Sequence, residues 1–574
     1  MRKNLFVFCP LLAAGFIAFI ANDQHSNPVA KWEQTKRESA LGCAPVDEDY
    51  KFTITGKIIP LLPGWGNHSY AISTNVDSAQ LYFDQGLTMY FSYHAREAVA
   101  SFREAARFDS TNAMLYWAQA LSMGPSYNFG YAYKMRPTVP AVLAKMNRYA
   151  ANAPQKERDL VAAMNTRYNV ADTADTQRRQ LNAAYAAAMK QLVKKYPDDI
   201  DIKALYTDAV MLIHAWDFWN NDGTAKSWTP ELVKYCQDIL NNDPQHPGGL
   251  HYYIHVTEAS RNPEVALASA DSLIKLFPGI AHMVHMSSHE YERIGFYKKG
   301  TVANEKADES LLLYDGLAKE LALPTGVTHY YAVDAFCAMS GAMGKKAIQK
   351  ALTARRSTVP TNEAFSDQHV YMFPELAMVR MGMWHDILND TTTVDGTWTF
   401  AAILGHFAKG MAYAKTGQTV DAEKQLLLLR EVKRDKALAA KFDPLSNSPL
   451  QCATVAENIL LGNIRFQQKK YSEAVAALKM AMDTEDDMVY GEPKDWMLPA
   501  RQYLGAFLMQ MNKPAQAEIV YREDLAWNPG NGWSTVGLYN SLKAQGKTKE
   551  LSKLRKRYLH SFSEADKVPN TSAY

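Results

Sequence analysis

Residues 251–260, HYYIHVTEAS, and residues 285–295, HMSSHEYERIG, carry the same three polar side chains thirty-four positions apart: His251, His255 and Glu258, then His285, His289 and Glu292. Pro244 and Pro278 precede them at the same offset. A thirty-four-residue period is that of a helix–turn–helix repeat. Spacing i, i+4, i+7 puts each trio on one helical face. A repeat that copies the trio sets the two faces side by side, so the pattern predicts adjacent helices presenting four imidazoles and two carboxylates to one another.

The same period extends outward. In LYFDQGLTMYFSYHAREAVASFREAARFD (81–109), Gly86 is followed by Ala98, Phe102 and Ala105. The template returns at Leu461, Gly462, Ala474, Leu478 and Ala481, and at Leu504, Gly505, Leu508, Ala517, Tyr521 and Pro529. Further units run through Gly410, Tyr413, Gly417 and Ala422, through Ala266 and Pro278, and through Tyr291, Gly295 and Ala307. Small residues facing aromatic or aliphatic ones let two helices approach closely and stack on the next pair. Irregular or longer helices are expected at 125–210 and 314–400.

These residues resemble the tetratricopeptide repeat family over most of the chain after Ala79. The resemblance implies an all-α, right-handed solenoid of helical hairpins with a concave groove that takes a protein, peptide or small-molecule ligand. A narrower resemblance, carried by GNHSYAIST, HYYIHVTEAS, HMVHMSSHEY and NPGNGW, is to exported bacterial repeat proteins of unassigned activity. The resulting division is 1–21 as signal peptide or anchor, 22–78 as an extended segment with a short strand near Phe52–Ile54, 79–315 as helical repeats with a histidine-rich groove, and 316–574 as further repeats.

Composition narrows the function classes. The 574 residues are 47% apolar and 21% charged, the balance of a folded chain. With 62 basic and 60 acidic residues, and only the short KLRKR run at 553–557, no basic stripe points to nucleic acid. Arg2 and Lys3 before the apolar run Leu5–Ala21 read as an export signal, cleaved or retained as an anchor. That places the protein in the periplasm or cell envelope, touching membrane only if the segment is retained. Cys43, Cys236, Cys337 and Cys452 lack any Cys-x-x-Cys, which argues for small buried side chains or an optional disulfide rather than a thiolate metal site. The acidic stretch Asp483–Asp487 reads as a solvated loop, and Trp216, Phe218, Trp219 and Trp228 as core packing, with a stacking wall for a ligand as the alternative. No phosphate loop, dinucleotide fingerprint or nucleophile elbow is present.

Five of the fifteen histidines fall in residues 251–289, where an even spread would put about one. His251, His255, His285 and His289, with His282 at the front of the second helix, form a candidate site for zinc, copper, iron or nickel, because nitrogen-rich ligation without thiolate suits those ions. Imidazoles from both helices are expected to meet at one ion. Glu258 and Glu292, one turn further, are candidates to bind a second ion, orient an imidazole, or act as general base to a metal-bound water. His68, His94, His329 and His406 are candidates to join from other units, and Asp217 lies in repeat phase with His251 and His285. The competing reading is a metal-free ladder of histidine hydrogen bonds copied by repeat duplication. A binding scaffold and a metal-dependent hydrolase or oxidoreductase both remain open.

Overall fold

In a computed structural model of the chain, residues 56–129, 133–172, 174–317, 326–441 and 446–574 are described. The expected signal segment, the strand near Phe52–Ile54 and Cys43 lie outside them. The described residues form an all-α array of paired helices from Asp77–Phe91 to Leu551–Ser561, with short 3-10 turns between some of them. None of these helices is long and apolar enough to cross a membrane.

One turn chemistry builds most of the pairs. The helix Asp77–Phe91 ends at Tyr93, whose φ of 58° is left-handed, and the His94 N–H returns to the Met89 carbonyl at 2.9 Å. The bond from the second residue past the helix to a carbonyl in its last turn satisfies an otherwise orphaned acceptor. It recurs after Ala281–Arg293 through Gly295, after Thr328–Ser340 through Ala342, after Pro449–Gln467 through Lys469 and after Ala500–Gln510 through Asn512. Each such turn folds the next helix antiparallel onto the last.

The small residues of the repeat template sit where packing is tightest. A Cβ on Gly86 would meet the Phe102 ring at 2.5 Å, and one on Gly505 would meet Tyr521 at 2.3 Å. Both pairs are sixteen positions apart and join the two helices of one hairpin. Ala98, Ala105, Ala474, Ala481 and Ala517 are fully buried beside them. The largest apolar core runs from Ile58 to Tyr314 and a second from Tyr297 to Ala573, so the helix Tyr297–Leu317 contributes to both.

Residues 56–76 have no regular structure, yet they are fixed against the helices as a strap. Ile58, Leu62 and Tyr70 are buried; the Leu62 N–H donates to Gln85 Oε1 at 2.7 Å and the Tyr70 N–H to Asp84 Oδ1 at 3.1 Å. Cys236, Cys337 and Cys452 are buried free thiols. The acidic stretch 483–487 is not a loop: the helix Tyr471–Asp486 runs through most of it, since no glycine or proline interrupts the helical run there.

The C-terminal repeats return to the middle of the chain. Arg293 donates from Nε to the Glu258 carbonyl (2.8 Å) and from Nη2 to the Trp527 carbonyl (3.1 Å), and the Gly530 N–H donates to the Arg293 carbonyl at 3.0 Å. The segment between Asp486 and Ala500 thereby covers the ends of the two histidine helices. Asn221 donates to the Asp486 carbonyl at 2.7 Å and Tyr490 Oη to Glu258 Oε2 at 3.4 Å. His251, His255, His285 and His289 are buried.

Candidate metal centre

Helix Pro247–Thr257 carries His251 and His255, and helix Ala281–Arg293 carries His282, His285 and His289. Both pack into the larger core through Tyr252, Ile254, Val256, Met283 and Met286, which turns the intervening polar positions toward one another. The imidazoles do not converge on a single point. They divide into two groups, His251 with His255 and His282, and His285 with His289 and His329; within each, one nitrogen per residue lies within 4.8 Å of the others.

The first group has an unusual hydrogen-bond pattern. His251 donates from Nδ1 to the Phe91 carbonyl at 2.6 Å, and His255 Nδ1 faces Glu258 Oε1 at 3.1 Å. Each leaves Nε2 buried with no partner, and His282 Nε2 is buried and unpartnered as well. An orphaned buried nitrogen costs roughly 1–3 kcal/mol. Three together, two of them with the opposite nitrogen anchored on a carbonyl or a carboxylate, match the arrangement that fixes tautomer and aim in histidine metal ligands. Tyr93 stands edge-on to His251 at 4.6 Å and Tyr127 packs on His255 at 4.9 Å between ring centroids, holding both rings.

In the second group His285 Nδ1 faces Asn304 Oδ1 at 2.6 Å, His289 Nε2 lies 3.0 Å from His285 Nε2, and Tyr330 stacks on His285 at 4.4 Å. His329 comes from the next unit, 4.7 Å from the His285 ring. Two nitrogens about 2.0–2.1 Å from a tetrahedral ion are separated by about 3.3 Å, close to the spacing between His285 and His289.

A carboxylate from the covering segment joins the two groups. Glu492 shares a donor cluster with His255 and Glu258, and its Oε2 lies 3.4 Å from His289 Nε2. Burial raises the Glu258 carboxyl to about 8, and burial together with the Glu258 charge holds Glu492 well above the usual carboxylate range. Burial pushes His255 and His329 down to about 4; burial and then neighbouring imidazoles push His251, His282, His285 and His289 well below the ordinary value. The rings are thus neutral at pH 7, the form that ligates a metal.

Glu292 does not enter these donor groups. Helix Ala281–Arg293 continues past it to the Gly295 turn, and its charge bears on Lys494 and Tyr297. Glu258, in contrast, follows the end of helix Pro247–Thr257 and turns back to His255. Asp217 pairs with Lys226 at 3.0 Å, and His214 stacks on Trp228 at 3.6 Å. His406 faces Gln425 at 2.8 Å, apart from the centre. His94 Nε2 accepts from the His282 N–H at 3.3 Å, while its Nδ1 faces Glu97 Oε1 at 2.7 Å.

His68 belongs elsewhere. With His246 it holds Asp201: His68 Nε2 is 2.8 Å and His246 Nε2 3.3 Å from Asp201 Oδ1, and His246 Nδ1 accepts from the Gly249 N–H at 3.1 Å, capping helix Pro247–Thr257. This third group pins the strap to the helices.

Beside the centre opens a cleft of about 150 Å³ lined by Trp216, Trp219, Arg293, Tyr490, Gly491 and Lys494, among others. Its wall includes Tyr490 and Gly491, the two residues that precede Glu492.

Several solved structures are similar to this chain over most of its length at low identity. The human IFIT1 dimer with m7Gppp-AAAA matches 86% of this chain and 92% of its own at 11% identity and a TM-score of 0.31. Yeast Tom70 matches 84% and 92% at 11% identity and 0.28, and the TPR domain of P58(IPK) 85% and 97% at 12% and 0.19. No protein family and no curated protein matches the sequence.

Proposed function

We propose that this chain is a helical-repeat binding protein built around a transition-metal centre, with His251, His255 and His282 as ligands to zinc, copper, iron or nickel. One observation carries the reading: three buried imidazoles present unpartnered Nε2 atoms, and two have the opposite nitrogen fixed by Phe91 and Glu258. A histidine ladder evolved for structure alone would pair those atoms, because buried polar groups are normally satisfied. Neutral nitrogen donors without thiolate favour these ions over calcium or magnesium.

Export to the periplasm or cell envelope forms part of the reading and rests on the N-terminal sequence. The partner is a protein, peptide or small molecule; balanced charge gives no basis for nucleic acid. A second reading, a metal-dependent hydrolase or oxidoreductase, is favoured by the cleft, which reaches the segment bearing Glu492.

The test is metal analysis of full-length protein purified without a histidine tag, with stripping and reloading by Zn(II), Cu(II), Ni(II) or Fe(II). Bound ion, reduced in His251→Ala with His282→Ala while the helical circular dichroism persists, is the expected result. Protein that takes up none of these ions, and whose melting temperature ignores them, overturns the reading.

A further inference from the structure

We propose that the centre holds two ions, one on His251, His255 and His282 and the other on His285, His289 and His329, with the Glu492 carboxylate between them. The inference rests on the metal-binding reading above and adds a second site with its own ligands.

The donor count exceeds the needs of one ion. A four-coordinate ion bound by three protein ligands has one position left for water, substrate or a carboxylate. Six imidazoles with Glu258 and Glu492 therefore overfill one site and fit two. The distribution follows the same division, because the nitrogens separate into trios rather than one cluster. Each trio has its own anchors: the Phe91 carbonyl and Glu258 for the first, Asn304 and the stacked Tyr330 ring for the second.

Glu492 is placed to connect them. It groups with His255 of the first trio and approaches His289 of the second at 3.4 Å, and its Oε1 is buried without a partner. Paired-metal sites hold ions about 3.5–4 Å apart and clamp the oxygen of a substrate between them. The segment that delivers Glu492 also lines the neighbouring cleft through Tyr490 and Gly491. The sequence gives this residue no repeat register.

The experiment is titration of stripped, full-length, tag-free protein with Co(II) and with Cu(II). Two equivalents are expected per wild-type chain. His329→Ala and, independently, His329→Gln should reduce this to one. Glu492→Gln should weaken ion binding by about 10–100-fold, the usual effect of losing a supporting carboxylate. Cu(II) at two equivalents should give a dipolar-broadened or silent paramagnetic resonance spectrum in wild type and an isolated-ion spectrum in the His329 variants. One equivalent in wild type overturns the second site and leaves the single-ion reading standing; no uptake overturns both. Two equivalents that persist in folded His329 variants, or unchanged affinity in Glu492→Gln, overturn the assigned ligands.

Discussion

Two buried trios lie near each other in the N-terminal half and use their imidazoles in opposite ways. In His68–Asp201–His246 the paired nitrogens and carboxylate answer one another, and the spare nitrogen of His246 caps a helix. In His251–His255–His282 three nitrogens face inward with nothing to answer them. The first trio is complete as folded and holds the strap at 56–76 in place. The second bears a desolvation cost that a bound ion would remove. Burial and histidine content do not separate them; the partners of each nitrogen do.

The largest expected contrast comes from replacing one imidazole of each trio with leucine in metal-stripped protein. His246→Leu removes a cap and leaves a buried Asp201 with one partner fewer, at a cost of about 3 kcal/mol or more. His282→Leu removes an orphaned nitrogen and fills its place with apolar surface, so it should be neutral or stabilising by about 1 kcal/mol. Chemical denaturation measures both. Equal destabilisation would erase the distinction. Adding the preferred ion should then raise the melting temperature of wild type and of His246→Leu, and raise that of His282→Leu by less, because a ligand bound to the native state stabilises it and this variant keeps only the second trio intact.

Much of this arrangement was legible beforehand and part was not. Gly86 with Phe102 and Gly505 with Tyr521 could be read because each pairing recurs at a fixed offset. His251, His255, His285 and His289 could be read for the same reason. The division into two trios was hidden, since His329 lies forty-four residues beyond His285 and the long helix Tyr297–Leu317 intervenes. Glu492 was invisible because it reaches the centre from a segment between repeats, more than two hundred residues from His289. Glu292 matched the pattern in sequence, but the two helices end differently, so equivalent positions do not point alike. The pairing of Asp201 with His68 and His246 leaves no local spacing at all.

A smaller effect separates the trios by pH. Burial opposes protonation of His68, but the Asp201 hydrogen bond and charge raise its pKa above the ordinary 6.5. Its contribution is therefore complete below pH 6.5 and is lost as pH rises through the folded value. Burial opposes ionisation of Asp201, yet His246 and His68 hold its carboxyl well below 3.8, so its contribution is present above pH 3.8 and lost on acidification. The inward-facing imidazoles behave oppositely: with His255 lowered to about 4, burial favours the neutral ring, and stability falls as pH drops from 6.5 toward 4. Protection from hydrogen exchange, after correction for the intrinsic pH dependence of amide exchange, should thus fall at 56–76 above pH 6.5 and in helix Pro247–Thr257 of metal-free protein below it. The same pH response in both segments would contradict the assignment.

X-ray absorption at the metal edge of the loaded, tag-free protein reads the ligands of the bound ions themselves. Imidazole ligation gives a first shell of nitrogen and oxygen near 2.0–2.1 Å with the outer-shell scattering of about three imidazoles per ion. A shell of oxygen alone without imidazole scattering would contradict it.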